Sequence, residues 1–597
     1  MEIHELQQLL SEMSLQEKIG QMVQLTGVYF DKEAVLTGVV GEQLPPEWII
    51  QYAGSVLGVI GKDKIYDIQS RYMEQHPHHI PLLFMADVIH GCRTIFPIPL
   101  GQACSFHPEL VSEAASIAAS EASSEGLRAT FSPMIDVSRD PRWGRMMESF
   151  GEDPYVNGIM GKAMVDGYQQ KDDAGIAACL KHFAGYGAVN AGREYNDVEI
   201  SKRTFLEQYV KPFRMALKAK PAMVMTAFNA IDRKPISGNK ELLKGLLRDK
   251  EGFEGTVISD WGSIGQLEEQ GVAADMEEAA IQASEAGVDI DMMSPAYMLC
   301  LEKLVESGKI PKAFVDESAF RVLMMKNQLG LFENPFAGLG KSGKLTQHNL
   351  EKAYQMAGES CVLLKNEKKI LPLSVKKKVI WAGPYTASRE FLSRWSIFGE
   401  HESVETIEDV LQKKQIEAEC ITGCNILSDE ECKVWQVEQE LSDKPRDEQW
   451  LETITHEDTV VCVLGEHESQ SGEAASRAFL TLPEEQQVLF EKIAERTSNI
   501  VTVVITGRPL DLRRISERSK AVIMAWRPGT MGAEAIIDIV YGRLNPSGKL
   551  SVSIPWCVGQ VPISYWDVKT GHIFTEDNSE NRFTSRYMDI PNTPLYP

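Results

Sequence analysis

Seven short apolar runs between residues 54 and 294 alternate with helical stretches, and this alternation constrains the fold more than any other feature of the chain. The runs are GSVLGVIG, IPLLFMADVIHG, RATFSPMIDV, IAACLKHFAGYG, PAMVMTAFNAID, FEGTVISDWGS and AGVDIDMMS. Between them lie stretches such as PELVSEAASIAASEASSEGL, with apolar residues three and four apart. Repeated strand–helix units require parallel strands joined by right-handed crossovers. With an eighth run expected near residue 330, the pattern predicts an α/β fold built on a (β/α)8-like TIM barrel over residues 1–335. An open doubly wound sheet is the alternative.

The polar residues favour the barrel. Asp87 and His90, Asp136, Lys181 and His182, Asn229, Asp260, and Asp289 with Asp291 all stand at the carboxyl ends of these runs. On a barrel that face carries the site, because every βα loop opens there. Strand ends are polar wherever they meet solvent, but Lys-His and Asp-Trp dipeptides at such ends are harder to explain that way.

Residues 336–350 are rich in Gly, Pro and polar side chains and read as a linker. Strand–helix alternation resumes at ESCVLLKNEKKILPL, KKVIWAGP, DTVVCVLGE, NIVTVVITGRP and KAVIMAWRPG, predicting an α/β sandwich domain over 351–560. Residues 433–454 are charged and read as a solvated helix–loop. Residues 561–597 form a polar, loop-like tail.

Charge narrows the function. The chain of 597 residues carries 61 Lys plus Arg against 85 Asp plus Glu, a net −24, which repels phosphate backbones and anionic lipid. Nucleic acid and membranes are therefore not expected as partners; neutral sugars are indifferent to that field. No apolar run approaches the 18 residues a spanning helix needs. The acidic, amphipathic start MEIHELQQLLSEMSLQEKIGQMVQL does not read as a signal peptide. The ten cysteines form no CxxC pair, and a cytoplasmic location is expected.

Hydrolysis of a glycoside needs two carboxyl groups, a nucleophile and a proton donor. In VISDWGSI, small and β-branched residues bring Asp260 to a strand end, and Trp261 offers a wall for a sugar ring. KHF places Lys181 and His182 at another strand end, where a cation holds a nearby carboxylate ionised. DVSRDPRWGR supplies Arg139, Arg142 and Arg145, two of which are read as loop-fixing salt bridges. Taken together, MADVIHG, SRDPRWGR, KHFAGYG, VMTAFNA, VISDWGS, AGVDIDM, ESCVLLKNEKKILPL and NPSGKLSVSIP resemble glycoside hydrolase family 3, in order and over nearly the whole chain.

The resemblance implies a barrel followed by an α/β sandwich, a retaining double displacement, and neither metal nor cofactor. By it Asp260 is the nucleophile. Asp87, Arg145, Lys181 and His182 match positions that grip the non-reducing sugar, and Met225 and Trp261 line the same subsite. The loop-histidine acid of some members, carried in an Asp-Ser-His motif, is missing. Two-domain members take a second-domain glutamate ahead of a Leu-x-Leu-Pro sequence. In LGEHESQSGEAASRAFLTLPEEQ, Glu473 matches best, with Glu466 and Glu468 as competitors. Ser476-Arg477 stands where the pattern often has Asp-Arg. Relatives with a similar tail often continue into a fibronectin-like domain, and a homodimer stays open as the assembly.

Asp87 can accept hydrogen bonds from sugar hydroxyls, so an exo-acting β-glucosidase on β-glucosides or short oligosaccharides is expected. A β-xylosidase or α-arabinosidase is the alternative within the family. Trp395 and Phe398, with Trp261, are expected on the leaving-group side. A catalytically silent sugar-binding protein and a phosphorylase are the rivals from other classes.

Overall fold

The structure, a computed structural model, describes residues 1–38, 44–438 and 449–596. Eight short parallel strands form the first sheet: β1 (Val23–Thr26), β2 (Ser55–Leu57), β3 (Leu83–Ala86), β4 (Ala129–Thr130), β5 (Ala177–Phe183), β6 (Met223–Thr226), β7 (Thr256–Ile258) and β8 (Asp291–Met292). Their order is β8-β1-β2-β3-β4-β5-β6-β7. A parallel bridge between Ile258 and Ile290 joins the two ends and closes the ring. Every residue of these strands is buried, as parallel strands walled by helices must be.

The eighth strand is not near residue 330. Residues Lys312–Gln328 form a helix, and the missing strand is β1, whose Val23 pairs with Asp291 and whose Gln24 pairs with Ser55. It follows directly on the helix Leu15–Gln21, which Ser14 and Glu17 open with a capping box. Leu6 and Met13 of the amino-terminal segment pack with Ile80 and Leu323 across the barrel floor.

The second domain is a six-stranded sheet of β9 (Val362–Asn366), β10 (Val379–Ala382), β11 (Ala418–Ile421), β12 (Val460–Gly465), β13 (Ile500–Ile505) and β14 (Ala521–Met524). Its order is β9-β14-β13-β12-β10-β11, parallel except for the β9–β14 pair. Alternate residues of β12 and β13 supply two separate apolar cores. Val461, Val463, Val501 and Val503 face one; Val460, Cys462, Leu464 and Val504 face the other. The second of these cores also takes in Ile89, Ile98, Leu100, Met146 and Met147 from the barrel, so this domain packs on the barrel's loop face through apolar contact.

Between the domains the chain stays tied to the barrel. Gly340 N donates to Ser124 O at 2.8 Å, and the helix Gln347–Ser360 begins inside the stretch read as linker. Of residues 433–454, 439–448 lie outside the described residues; the flanking segments Asp429–Trp435 and Gln449–Thr453 are helical. The tail beyond residue 560 is largely exposed. It is anchored where Glu152 accepts hydrogen bonds from Tyr565 N and from Ser553 N and Oγ. Among the described residues no helix is long and apolar enough to cross a membrane.

Candidate active site

A cavity of about 1040 Å³ opens at the carboxyl ends of the barrel strands. That is the upper end of the size range of small-molecule sites, about 300–1,000 Å³. Asp87, Arg145, Lys181, Met225, Asp260 and Trp261 line it from the barrel; Arg394, Trp395, Ile397, Glu473 and Ala474 line it from the second domain.

Asp260 follows β7, and its Oδ1 accepts the amide hydrogen of Trp261 at 2.7 Å. Its Oδ2 has no hydrogen-bond partner and faces His182 Nε2 at 3.4 Å. Burial pushes this carboxyl up to about 7, against the pull of Arg145 and with a further push from the charge of Glu473; Lys181 also pulls it down. His182 lies behind it, wholly buried, with Nδ1 at 2.9 Å and its backbone N at 2.8 Å from Asp136 Oδ2. Burial holds the imidazole well below its ordinary range, with Arg145 and Lys181 adding to the effect. The neutral ring therefore donates from Nδ1 to Asp136 and turns a lone pair at Nε2 towards Asp260.

Lys181 Nζ donates to Asp87 Oδ1 at 3.1 Å, with both side chains almost fully buried. Burial alone would lower the ammonium, but Asp87, Glu148 and Asp260 outweigh it and the net shift is upward. Arg145 makes a two-pronged ion pair with Glu148, at 2.9 and 3.0 Å, and turns Nη1 to within 3.7 Å of Glu473 Oε1. The other two arginines of the segment fix loops. Arg142 clasps Asp140, and Arg139 lies over the Trp566 ring of the tail, 4.7 Å from its centroid.

Three glutamates compete for the second-domain carboxyl, and their surroundings differ. Glu466 is fully buried and saturated by Arg477 at 2.6 Å, Arg508 at 3.1 Å, Thr506 Oγ1 at 2.7 Å and Gly507 N at 3.1 Å. Glu468, in the turn Glu468–Gln470, does not line the cavity. Glu473 does, and its Oε1 accepts from Tyr195 OH at 2.8 Å.

Close backbone approach holds the Glu473 loop against the barrel. Gly472 N donates to Gly144 O at 2.9 Å, and a Cβ on Gly144 would lie 2.2 Å from Gly472 O, so only glycine fits there. Arg508 Nη1 donates to Pro141 O at 2.8 Å and Arg142 O at 3.1 Å on the barrel, while its Nη2 donates to Ala475 O at 2.7 Å and to Gln470 O. Ser476 Oγ bridges to Gly192 O at 2.7 Å and accepts from Glu194 N at 2.9 Å, so the residue that departs from the family pattern ties the loop to the barrel.

Phe398 does not reach the cavity. It packs into the barrel core, while its neighbour Ile397 lines the cavity beside Trp395. Asp289 and Asp291 are internal: Asp289 is bound by Arg248 and Arg321, and Asp291 accepts from Ser294 and Tyr297. His90 bonds Ser393 Oγ at 2.7 Å and braces the Trp395 loop. Tyr195 and Arg394, which line the cavity with Phe228 of VMTAFNA, carry no sequence pattern that singles them out. Among the described residues no cluster of three or more His, Cys, Asp or Glu could hold a metal ion.

A barrel whose loop face meets a second-domain glutamate across a polar cleft, with a buried aspartate at the strand end opposite, is the architecture of a two-domain glycoside hydrolase. Residues 14–325 match the glycosyl hydrolase family 3 N-terminal domain, and residues 361–588 match its C-terminal domain. The chain belongs to glycosyl hydrolase family 3. It is 36% identical to a periplasmic β-glucosidase of Salmonella typhimurium, over 99% of this chain and 79% of that protein. It is 32% identical to a putative β-xylosidase of Formosa agariphila, over 95% of this chain and 77% of that protein. The crystal structure of a β-glucosidase from Listeria innocua in complex with isofagomine superposes with a TM-score of 0.94 at 40% identity, covering all of this chain and 82% of that one.

The Salmonella relative is a periplasmic protein, which overturns the expectation of a cytoplasmic location. The features behind that expectation do not report compartment. The acidic, amphipathic start is amphipathic because Leu6 docks on the barrel floor, and seven of the ten cysteines are buried, where thiols are inert in either redox setting.

Proposed function

We propose that the chain is a retaining, exo-acting β-glucosidase. The observation that carries this reading is the convergence of Asp260 from the barrel and Glu473 from the second domain on one cavity, with Arg145 reaching towards Glu473 and Lys181–Asp87 beside it. The Asp260 carboxylate, in the cavity wall, attacks the anomeric carbon. The glycosidic C–O bond breaks as Glu473 gives its proton to the leaving oxygen, and a glycosyl ester forms on Asp260. Glu473 then takes a proton from water as that water attacks the same carbon, which restores both carboxyls and retains the configuration.

Arg145 and Lys181 favour the ionised nucleophile. Asp87, oriented by Lys181, accepts hydrogen bonds from ring hydroxyls of the terminal sugar, with Met225 and Trp261 as apolar walls. The similarity to a putative β-xylosidase supports a second reading, in which a pentose fills that pocket.

Hydrolysis of aryl β-glucosides and aryl β-xylosides by the parent, Asp260→Ala and Glu473→Ala tests the proposal. The glucoside should be preferred, Asp260→Ala inert, and Glu473→Ala active only on good leaving groups unless azide is added. Preference for the xyloside would move the assignment to the second reading, and an active Asp260→Ala would remove the mechanism.

A further inference from the structure

The two oxygens of Glu473 are not equivalent. Oε1 accepts the Tyr195 hydroxyl at 2.8 Å and faces Arg145 Nη1 at 3.7 Å. Among the described residues no hydrogen bond engages Oε2. Tyr195 belongs to the barrel loop after β5, and its ring stands edge-on to Phe228, with centroids 5.1 Å apart and an interplanar angle of 88°. The same loop is tied to the Glu473 loop by Ser476, through Glu194 N and Gly192 O. Behind it, Glu194 is itself held by Tyr186 OH and Trp143 Nε1. Tyr195 therefore reaches Glu473 from a braced platform although its own side chain is half exposed in the cavity mouth.

We propose that Tyr195 is a positioning residue which occupies Oε1 of Glu473, so that Oε2 is the oxygen that delivers and recovers the proton. The proposal rests on the reading of Glu473 as the acid/base. In the first half-reaction the proton leaves Oε2 for the glycosidic oxygen. In the second, Oε2 takes a proton from water. Tyr195 keeps its own proton throughout, donating to Oε1 in both states. A hydroxyl that donates to a carboxylate favours the ionised form, as does Arg145. The negative charge of Asp260 and of the buried Glu194 acts the other way, with Tyr186 behind Glu194; Arg394 reaches only the backbone oxygen of Glu473. Tyr195 thus fixes which oxygen of Glu473 is left for the proton transfer.

Tyr195→Phe keeps the ring on Phe228 and removes only the hydroxyl. The test is the pH profile of kcat/KM on aryl β-glucosides with poor and good leaving groups, for the parent, Tyr195→Phe and Glu473→Ala. With poor leaving groups, Tyr195→Phe should lose about tenfold at the optimum, and its alkaline limb should move up by about half to one pH unit. Good leaving groups, which need little protonation, should change less than about threefold. A uniform loss on every substrate with no shift of the limb would make Tyr195 structural and overturn the proposal. An unshifted limb in Tyr195→Phe that vanishes in Glu473→Ala would overturn it while leaving Glu473 in its role. If Glu473→Ala itself kept the limb on poor leaving groups, the reading of Glu473 would fail first.

Discussion

Asp260→Asn should make the protein more stable, and the gain should depend on pH. Asp260 is 7% exposed; its Oδ2 has no hydrogen bond and faces a ring nitrogen that offers a lone pair. Burial raises the carboxyl from its ordinary 3.8 to about 7. Between pH 3.8 and about 7 the unfolded chain releases the proton while the folded chain keeps it, so stability falls as pH rises through this window and stays reduced above it. At about 1.4 kcal/mol for each factor of ten in proton affinity, an ionised Asp260 costs the fold about 4 kcal/mol above neutral pH. Asparagine carries no charge, still accepts from Trp261 N, and can donate from its amide to His182 Nε2. Thermal unfolding of parent and variant, followed by calorimetry from pH 4 to 8.5, should show a gain in Tm that grows up to about pH 7 and then levels. A gain independent of pH, or a less stable variant, would refute the argument that burial of this carboxyl strains the site.

Arg508→Met should act on both stability and catalysis. The change strips one partner from the buried Glu466 and removes the link between Ala475 O and the barrel carbonyls of Pro141 and Arg142, so a loss of about 3–5 kcal/mol is expected in denaturant titrations. Activity on poor leaving groups should fall further than activity on good ones, because the Glu473 loop loses its tether. In the parent, kcat/KM should fall about tenfold per pH unit below about pH 7 as Asp260 takes up a proton; an acid limb near pH 4 would show that Arg145 and Lys181 outweigh burial.

Most of the barrel was legible because buried parallel strands are written as short apolar runs, and seven of the eight stood out for that reason. The strand Val23–Thr26 did not, because MVQLT continues the spacing of the helix before it and only pairing with Asp291 and Ser55 makes it a strand. At the site, residues at strand ends could be placed from their position in the repeat: Asp87, Lys181 and Asp260 line the cavity, and His182 stands directly behind Asp260. Loop residues could not. Glu466, Glu468 and Glu473 look alike as letters, and burial and pairing separate them. Tyr195 lies in an irregular segment tied across the domain boundary through Glu194 and Ser476, and Arg394 in one held by the Glu473 loop of its own domain. Phe398 shows how sharp that dependence is, since a shift of one residue exchanges the cavity wall for the core.

Covalent attack by Asp260 is the central step, and trapping the glycosyl-enzyme tests it most directly. Incubation with an activated 2-deoxy-2-fluoro-β-glucoside slows the second half-reaction, and intact-mass measurement followed by peptide mapping locates the adduct. One fluoroglucosyl group on the peptide containing Val257-Ile258-Ser259-Asp260-Trp261, absent from Asp260→Ala, is the predicted result. A label on another carboxylate, or turnover with inverted configuration and no adduct, would contradict it.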